Sequence, residues 1–302
     1  MEYYLGIDWG GTYIKAGIVD ASGKLLAKEL LVSTELRKRE IFISKIEELT
    51  KKFKQYKIKA IGVGVPGIID VKRGYLFDLP NVPGWKNFAF KKNLEKAVGI
   101  SVFIENDANA FALAEACVGA AKGAQRVLFL TLGTGLGGAL IYNGKIMEGD
   151  TSAGEVAHFP VVLEGGRQCG CGGYGCIETF TGSNYLLEKY SKLKGCPNPK
   201  EVRVIYERAK AGEKEALKVW QDFSYALGMF LSGMINIFNP QRIVLGGGVS
   251  GAFDLFKPML LEVIARQAMK PQLKGLKIVR AKIKDAGLIG AGLYARDKSR
   301  EK

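Results

Sequence analysis

Between residues 3 and 32 the apolar positions gather into three short segments, YYLGID, YIKAGIVD and LLAKELLV, parted by WGGT and ASGK. Runs of this length, broken by Gly-Gly and Ser-Gly, predict a strand, a glycine turn, a second strand, a hairpin and a third strand. The same order returns over 126–149 as RVLFLTL, GTGLGG and ALIYNGKIMEG, with an Asn-Gly hairpin signal where the first copy has Ser-Gly. An approximate internal duplication follows. Spacing of apolar positions by three to four predicts helices in EIFISKIEELTKKFKQ, AFALAEACVGAA, YALGMFLSGMINIF and AGLIGAGLYARD. A third glycine cluster, RIVLGGGVSG over 242–251, follows a buried-strand pattern and precedes the helix-like FDLFKPMLLEVIARQAM. Strands followed by helices, twice over, predict an α/β protein with two sheet-centred lobes and a tight crossover near 118–124.

Length agrees with two lobes, since 302 residues exceed the usual single domain. The chain is 47% apolar and 25% charged, and no apolar run approaches the roughly 20 residues a membrane helix needs. The opening MEYYLGIDWGG lacks the pattern of a secretory signal, so a cytoplasmic protein without a membrane partner is expected. The formal charge of +14 raises nucleic acid as a partner. Its lysines are spread over stretches such as LTKKFKQYKIK without aromatic platforms, which favours a solvated basic surface, or a polyanionic substrate such as a nucleotide.

The glycine turns bring candidate chemistry. Their backbone N–H groups can approach a phosphate, because glycine permits close approach and positive φ, although tight hairpins alone also explain them. Asp8 stands beside Gly10, Gly11 and Thr12, where a carboxylate could hold Mg²⁺ or simply form the turn. In VFIENDANAFALAEA an apolar strand runs into Asn106-Asp107 and a helix begins at once. Asp107 reads either as an N-cap or, facing substrate, as a base that takes a hydroxyl proton during attack on phosphorus, with Asn106 orienting the substrate. Glu155 and Glu178 bracket a cluster of three of the five cysteines and could accept sugar hydroxyls; each alone also reads as a surface acid.

That cluster, His158-x10-Cys169-x-Cys171-x4-Cys176, offers one imidazole and three thiolates, the closed tetrahedral set of structural Zn²⁺. Reduced thiols in a glycine-rich loop are the alternative, and an iron–sulfur cluster a more remote one. Four protein ligands leave no position for an activated water. Cys117 reads as core, and Cys196 suggests no partner.

Taken together, DWGGT (8–12), GVPG (64–67), ENDANAFALAEA (105–116), LGTGLGGA (132–139), GEVAH (154–158), CGCGGYGCIE (169–178) and LGGGVS (245–250) resemble the ROK family of sugar kinases and repressors, in order and over most of the chain. The resemblance implies the two-lobed actin-like, hexokinase-like (ribonuclease H-like) ATPase fold with a structural zinc loop, ATP in the cleft between related lobes, and sugar near the zinc loop. It implies an N-terminal lobe over 1–118 on the sugar and phosphate side and a larger lobe over 119–288 with the zinc loop and nucleotide site. A C-terminal helix over 289–302 would return to the first lobe. By position, Asp107 resembles the catalytic base, with Asn106, Glu155, His158 and Glu178 around the sugar and Gly67 and Asn81 lining the same pocket. Asp8, Gly10, Gly11, Thr12, Gly133, Thr134 and Gly135 match phosphate turns, and Gly246, Gly247 and Gly248 fall where the family approaches adenosine. His158 would place one ring nitrogen on zinc and the other toward a sugar hydroxyl.

The expected activity is ATP-dependent phosphorylation of a hexose, glucose to glucose 6-phosphate first, with Mg²⁺ near Asp8. Fructose, allose or N-acetylmannosamine are the rival substrates, polyphosphate the rival donor, and a non-catalytic sugar sensor or nucleic-acid binder the rival class. Repressor members carry an N-terminal helix-turn-helix, whereas strand one here begins at about Tyr3, so that module is not expected. A homo-oligomer, dimer or tetramer, is the family expectation. Two departures stand out: Trp9 replaces a small aliphatic residue, and Ala157 in GEVAH replaces a common glycine. The first is expected to alter packing near the phosphates, the second to shift the sugar-pocket backbone.

Overall fold

The computed structural model of the protein describes residues 1–79, 82, 84–149, 153–197 and 199–301. Along the chain run β1 (Tyr3–Trp9), β2 (Tyr13–Asp20), β3 (Leu25–Val32), α1 (Arg39–Lys52), β4 (Ala60–Val65), β5 (Ile68–Asp70), β6 (Tyr75–Asp78), α2 (Phe90–Val98), β7 (Ser101–Asn106) and α3 (Asp107–Val118). There follow β8 (Arg126–Leu132), β9 (Leu136–Tyr142), β10 (Lys145–Ile146), α4 (Glu178–Thr181), α5 (Ser183–Lys194), α6 (Val202–Lys210) and α7 (Lys214–Phe238). The chain ends with β11 (Arg242–Gly246), α8 (Phe253–Gln267), α9 (Lys270–Leu273), β12 (Lys277–Arg280) and α10 (Ala286–Arg300). Among the described residues no helix is long and apolar enough to cross a membrane.

Two five-stranded sheets repeat one strand order, β3-β2-β1-β4-β7 and β10-β9-β8-β11-β12. In each, the first strand of the copy pairs in parallel with a strand from much later in the chain, β1 with β4 and β8 with β11. The repeat seen in the glycine turns is therefore a repeat of topology. Burial follows position: β4, held between β1 and β7, is buried at every residue, while the edge strand β3 alternates along its length.

Chain contacts divide the protein into a first unit, Met1–Gly123 with Leu140–Ala153 and Lys282–Lys302, and a second, Ala124–Ala139 with Gly154–Ala281. Division by compactness does not follow the lobe limits expected at 118/119 and 288/289, because 140–153 and 282–288 join the first unit.

In the first unit β1 splits its side chains by period two. Ile7 and Trp9 enter a core with Phe42 of α1, Phe90 of α2 and Trp85, and Asp8 takes the other face. Trp9 stacks on Phe42 at 4.2 Å between centroids and meets Trp85 edge-on at 4.7 Å. Such pairs add about 0.5–1.5 kcal/mol each beyond burial. The expectation for Trp9 is thus corrected: the side chain fills the aromatic core and is turned away from the face that carries Asp8. On that other face lies α10, buried at every residue from Ala286 to Ala295. Its backbone sits so close that a methyl group on Gly62 would come 2.6 Å from the Ala291 carbonyl carbon, and one on Gly290 within 2.5 Å of that of Ala110. The small residues of AGLIGAGLYA let helix, sheet and α3 touch backbone to backbone.

The second unit packs α7 against α8, with Trp220 stacked on Phe256 at 6.0 Å and Phe223 edge-on to the same ring at 5.1 Å. Phe230 of α7 meets Phe159, the residue after His158, at 6.0 Å and so anchors the start of the cysteine loop.

Candidate active site

Register brings the first unit's candidate residues to one sheet edge. Asp8 of β1 pairs with Gly64 of β4, and Gly64 pairs with Glu105 of β7. The three strands run parallel, so Asp8, the loop to Gly67 and the Asn106-Asp107 junction all lie at carboxyl ends, where open α/β sheets bind ligands. Two strand spacings put Asp8 and Glu105 about 10 Å apart along the sheet.

Asp8 has a side chain 21% exposed. Burial pushes its carboxyl above the ordinary aspartate value; nearby Lys15 works against this and Asp285 adds to it. A methyl group on Gly287 would lie 2.7 Å from the Asp8 carboxyl carbon, so this glycine clears room for the carboxylate at the N-terminal turn of α10. The turn beyond Asp8 is closed by Gly10 N–H to the Tyr13 carbonyl (3.1 Å), Ser33 N–H to the Thr12 carbonyl (3.0 Å) and Ser33 Oγ to the Gly10 carbonyl (2.6 Å). Gly11 has open space where a Cβ would sit. One carboxylate beside an open glycine turn fits Mg²⁺, which takes one or two carboxylates and otherwise water and phosphate oxygens.

At the β7–α3 junction the helix cap is Asn106, whose side-chain oxygen accepts from Ala108 N–H (2.9 Å) and Asn109 N–H (3.4 Å). The alternative that made Asp107 the N-cap is corrected: Asp107 is the first residue of α3, and its Oδ1 accepts from Ala108 N–H at 2.8 Å. Its carboxylate thus stands at the positive end of the helix. Beneath it Glu105 is buried, accepting from Asn106 N–H (2.8 Å) and Asn109 Nδ2 (3.0 Å), and burial raises its carboxyl above the ordinary value. Gly67 holds φ +148° and packs against the backbone of Asp78 and Leu79. Asn81 lies outside the described residues.

In the second unit His158, Cys169, Cys171 and Cys176 bring one ligand atom each to within 4.8 Å of all the others. His158 Nδ1 is 3.5 Å from Cys169 Sγ, and Cys171 Sγ is 3.8 Å from Cys176 Sγ. A tetrahedron with Zn–S of about 2.3 Å has edges of about 3.8 Å, so the donor set fits zinc in type and in spacing. Burial pushes the Cys169 thiol up to about 12 and raises that of Cys176, while the Gly173 backbone N–H lowers that of Cys171. Nδ1 faces the sulfurs, which leaves Nε2 as the ring nitrogen directed elsewhere.

Glu178, first residue of α4, ties this loop to the β8–β9 turn. Its Oε2 accepts from Leu136 N–H at 2.9 Å, and Cys169 Sγ lies 3.5 Å from its Oε1. A methyl group on Gly135 would collide with Oε2 and lie 3.0 Å from the carboxyl carbon. Gly135 is therefore small for the sake of Glu178, a link that spacing in the sequence does not reveal. Gly10, Gly11, Gly133 and Gly135 are all outside the positive-φ region, which corrects the dihedral reason first given for these turns. Thr134 is exposed, and Gly133 N–H donates to the Gly135 carbonyl at 3.0 Å. Glu155 is exposed and precedes the short turn Val156–His158. Ala157 is buried with φ outside the positive region, so alanine sits there without backbone strain.

Of the third glycine cluster, Gly246 is buried as the last residue of β11, and Gly247, at φ +80°, packs on the backbone of Leu132. Of Gly246, Gly247 and Gly248, the last alone lines a cavity of about 280 Å³, together with Val249, Gly251 and Ala252 and, from α6, Val202, Arg203, Tyr206 and Glu207. The α6 wall was not read from the sequence, where VRVIYERAK carries no signal beyond an amphipathic helix.

The ROK family model matches residues 4–298. The glucokinase of Thermotoga maritima is 32% identical, with 97% of each chain covered. Among solved structures, the ROK hexokinase of Thermus thermophilus superposes with a TM-score of 0.87 at 33% identity, covering 99% of this chain and 100% of the other. A ROK glucokinase of Streptomyces griseus, solved with glucose and AMPPNP, gives 0.79 at 29% identity, covering 98% and 99%. A family match over nearly the whole chain, together with a ROK hexokinase structure that superposes on almost all of it, makes this protein a member of the ROK family.

Proposed function

We propose that the protein is a sugar kinase that transfers the terminal phosphoryl group of ATP to a hexose hydroxyl, glucose to glucose 6-phosphate before other sugars. One observation carries the reading: strand register sets Asp8 and the Asn106-Asp107 junction at the same carboxyl edge of β1, β4 and β7. Asp107 takes the proton from the attacking hydroxyl, as the transfer requires of a positioned base. Asn106, Glu155, His158 and Glu178 bind sugar hydroxyls, with Gly67 and Asn81 lining that pocket. Asp8, Gly10, Gly11 and Thr12 serve the phosphate end with Gly133 and Thr134, Gly135 making room for Glu178. Gly248, in the strand-to-helix turn with Gly246 and Gly247, meets the nucleoside. Asp8 would hold Mg²⁺, which when bound would supply charge neutralisation on the phosphoryl group. The four-ligand zinc set has no open position, so its part is to hold His158 and Glu178 in place. The relatives named glucokinase support the choice of glucose.

The test is ADP formation with glucose, fructose, allose and N-acetylmannosamine. Glucose should give the highest kcat/KM. Preference for another sugar would change the substrate, and absence of turnover with every sugar would remove the kinase reading.

A further inference from the structure

We infer that Cys171 and Cys176 form a peroxide-sensitive pair, whose oxidation to a disulfide takes two ligands from the zinc set. The effect on sugar binding rests on the kinase reading above; the oxidation itself does not.

The four donors of the cluster are unequal. Cys169 and Cys176 are buried at 5% and 3% exposure, whereas Cys171 is exposed. Cys169 is held on two sides, with His158 Nδ1 and Glu178 Oε1 each 3.5 Å from its sulfur. Cys171 Sγ stands 3.8 Å from Cys176 Sγ. Cys171 tops a small turn closed by Cys169 N–H to the Gly173 carbonyl (2.8 Å) and Gly172 N–H to the Cys169 carbonyl (3.0 Å). Its neighbours Gly170 and Gly172 have open space where a Cβ would sit. Cys176 lies instead in a short ladder, between Val161 N–H to the Gly175 carbonyl and Ile177 N–H to the Phe159 carbonyl, both 2.9 Å. Bonded sulfurs are about 2 Å apart. The remaining approach falls to the glycine-flanked tip, while Cys176 stays anchored against the segment that follows His158.

An accessible sulfur beside a shielded one is the arrangement of a sensing and a resolving cysteine. The Cys171 thiolate attacks hydrogen peroxide, the O–O bond breaks, hydroxide leaves and Cys171 becomes a sulfenic acid. The Cys176 thiolate then attacks the Cys171 sulfur, the S–O bond breaks and a second hydroxide leaves. Two thiolates are thereby oxidised to one disulfide, and one peroxide is reduced to two hydroxides. His158 and Cys169 remain as two donors, too few for a tetrahedral zinc site, and the wall that carries His158 and Glu178 loosens. A thiol reductant reverses the change by exchange.

The competing explanation is that Cys171 is a zinc ligand like the other two and no more reactive. The experiment treats zinc-loaded protein with hydrogen peroxide, reads released zinc with a chromogenic chelator, and maps cross-linked peptides by mass spectrometry without reduction. It compares the wild type with Cys171→His, which keeps four ligands but not the exposed sulfur, and with the double variant Cys117→Ala, Cys196→Ala, which lacks the cysteines outside the loop. The wild type should release its zinc in step with a Cys171–Cys176 disulfide, and dithiothreitol with added zinc should restore the starting state. Cys171→His should release zinc at least about tenfold more slowly, and the double variant should follow the wild type. Glucose affinity of the oxidised wild type should fall about tenfold and return on reduction. Zinc retained while Cys196 oxidises, a disulfide through Cys169, irreversible oxidation of Cys171, equal release from Cys171→His, or a wild type that holds no zinc would each overturn the inference. Should Cys171→His itself fail to hold zinc, the disulfide map and its reversal in the wild type decide. A reduced wild type that binds no glucose would remove the kinase reading and leave the oxidation standing.

Discussion

Replacing Gly135 with alanine decides between two uses of one glycine. The added methyl would press on the Glu178 carboxylate, 3.0 Å from its carbon. That obstacle is the end of a flexible side chain, so the strain is relieved by swinging the carboxylate aside and not by moving backbone. The swing gives up the 2.9 Å bond from Leu136 N–H, worth about 1.5–3 kcal/mol. Alanine returns about 0.4–1 kcal/mol by restricting the unfolded chain, because the backbone at 135 holds no positive φ. The net cost is about 0.5–2.5 kcal/mol, a fall of a few degrees in thermal midpoint. On the proposed function, moving the carboxylate also displaces an acceptor for sugar, so glucose affinity measured by titration calorimetry should drop about tenfold, or about 1.4 kcal/mol. Glu178→Ala should match it, and the double variant should bind glucose no more weakly than either single one, because both changes remove the same interaction. Intact glucose affinity together with weakened ATP would return Gly135 to the phosphates and refute the steric argument.

Asp107→Asn should lower kcat by roughly 10²- to 10⁴-fold while calorimetric glucose affinity stays within a few fold; near-normal turnover would remove Asp107 as base. Protein purified without chelator should carry one zinc per chain by elemental analysis, and Cys171→Ser should lower both the thermal midpoint and glucose affinity; metal-free protein with unchanged values would contradict a wall-holding role. Gly290→Ala should destabilise by about 3 kcal/mol in chemical unfolding, since its methyl meets the Ala110 backbone, which cannot turn away. A cost under about 1 kcal/mol would show that α10 can retreat from α3.

What could be read in the sequence was local. DWGGT and GTGLGG announce a strand and a turn within a few residues, and Asn106-Asp107 announces a strand meeting a helix. The cysteine loop is local as well, and its four ligand atoms do converge. What escaped depends on contacts across long stretches of chain. Glu178 reaches Gly135, and Gly287 clears space for Asp8, through pairings that no period or spacing encodes. The misassigned cap shows a finer limit: Asn106 and Asp107 are both good caps by type, and only the backbone angles of Asn106 settle which one serves. Trp9 shows another, for period two sends it to the aromatic core although its neighbours Asp8 and Gly10 belong to the turn.

The seam between α10 and the first sheet also sets a timetable. β1 and β4 are among the first strands to leave the ribosome, yet the helix that covers them begins at Ala286. Some 158 residues separate Gly123 from Lys282, which at about 5–20 residues per second takes roughly eight to thirty seconds. For that interval the glycine-lined face of the sheet has only α3 against it and lacks α10, and the first unit to be synthesised is the last able to finish folding. Co-translational chaperone binding should therefore concentrate on nascent chains that already contain β4 but still lack α10.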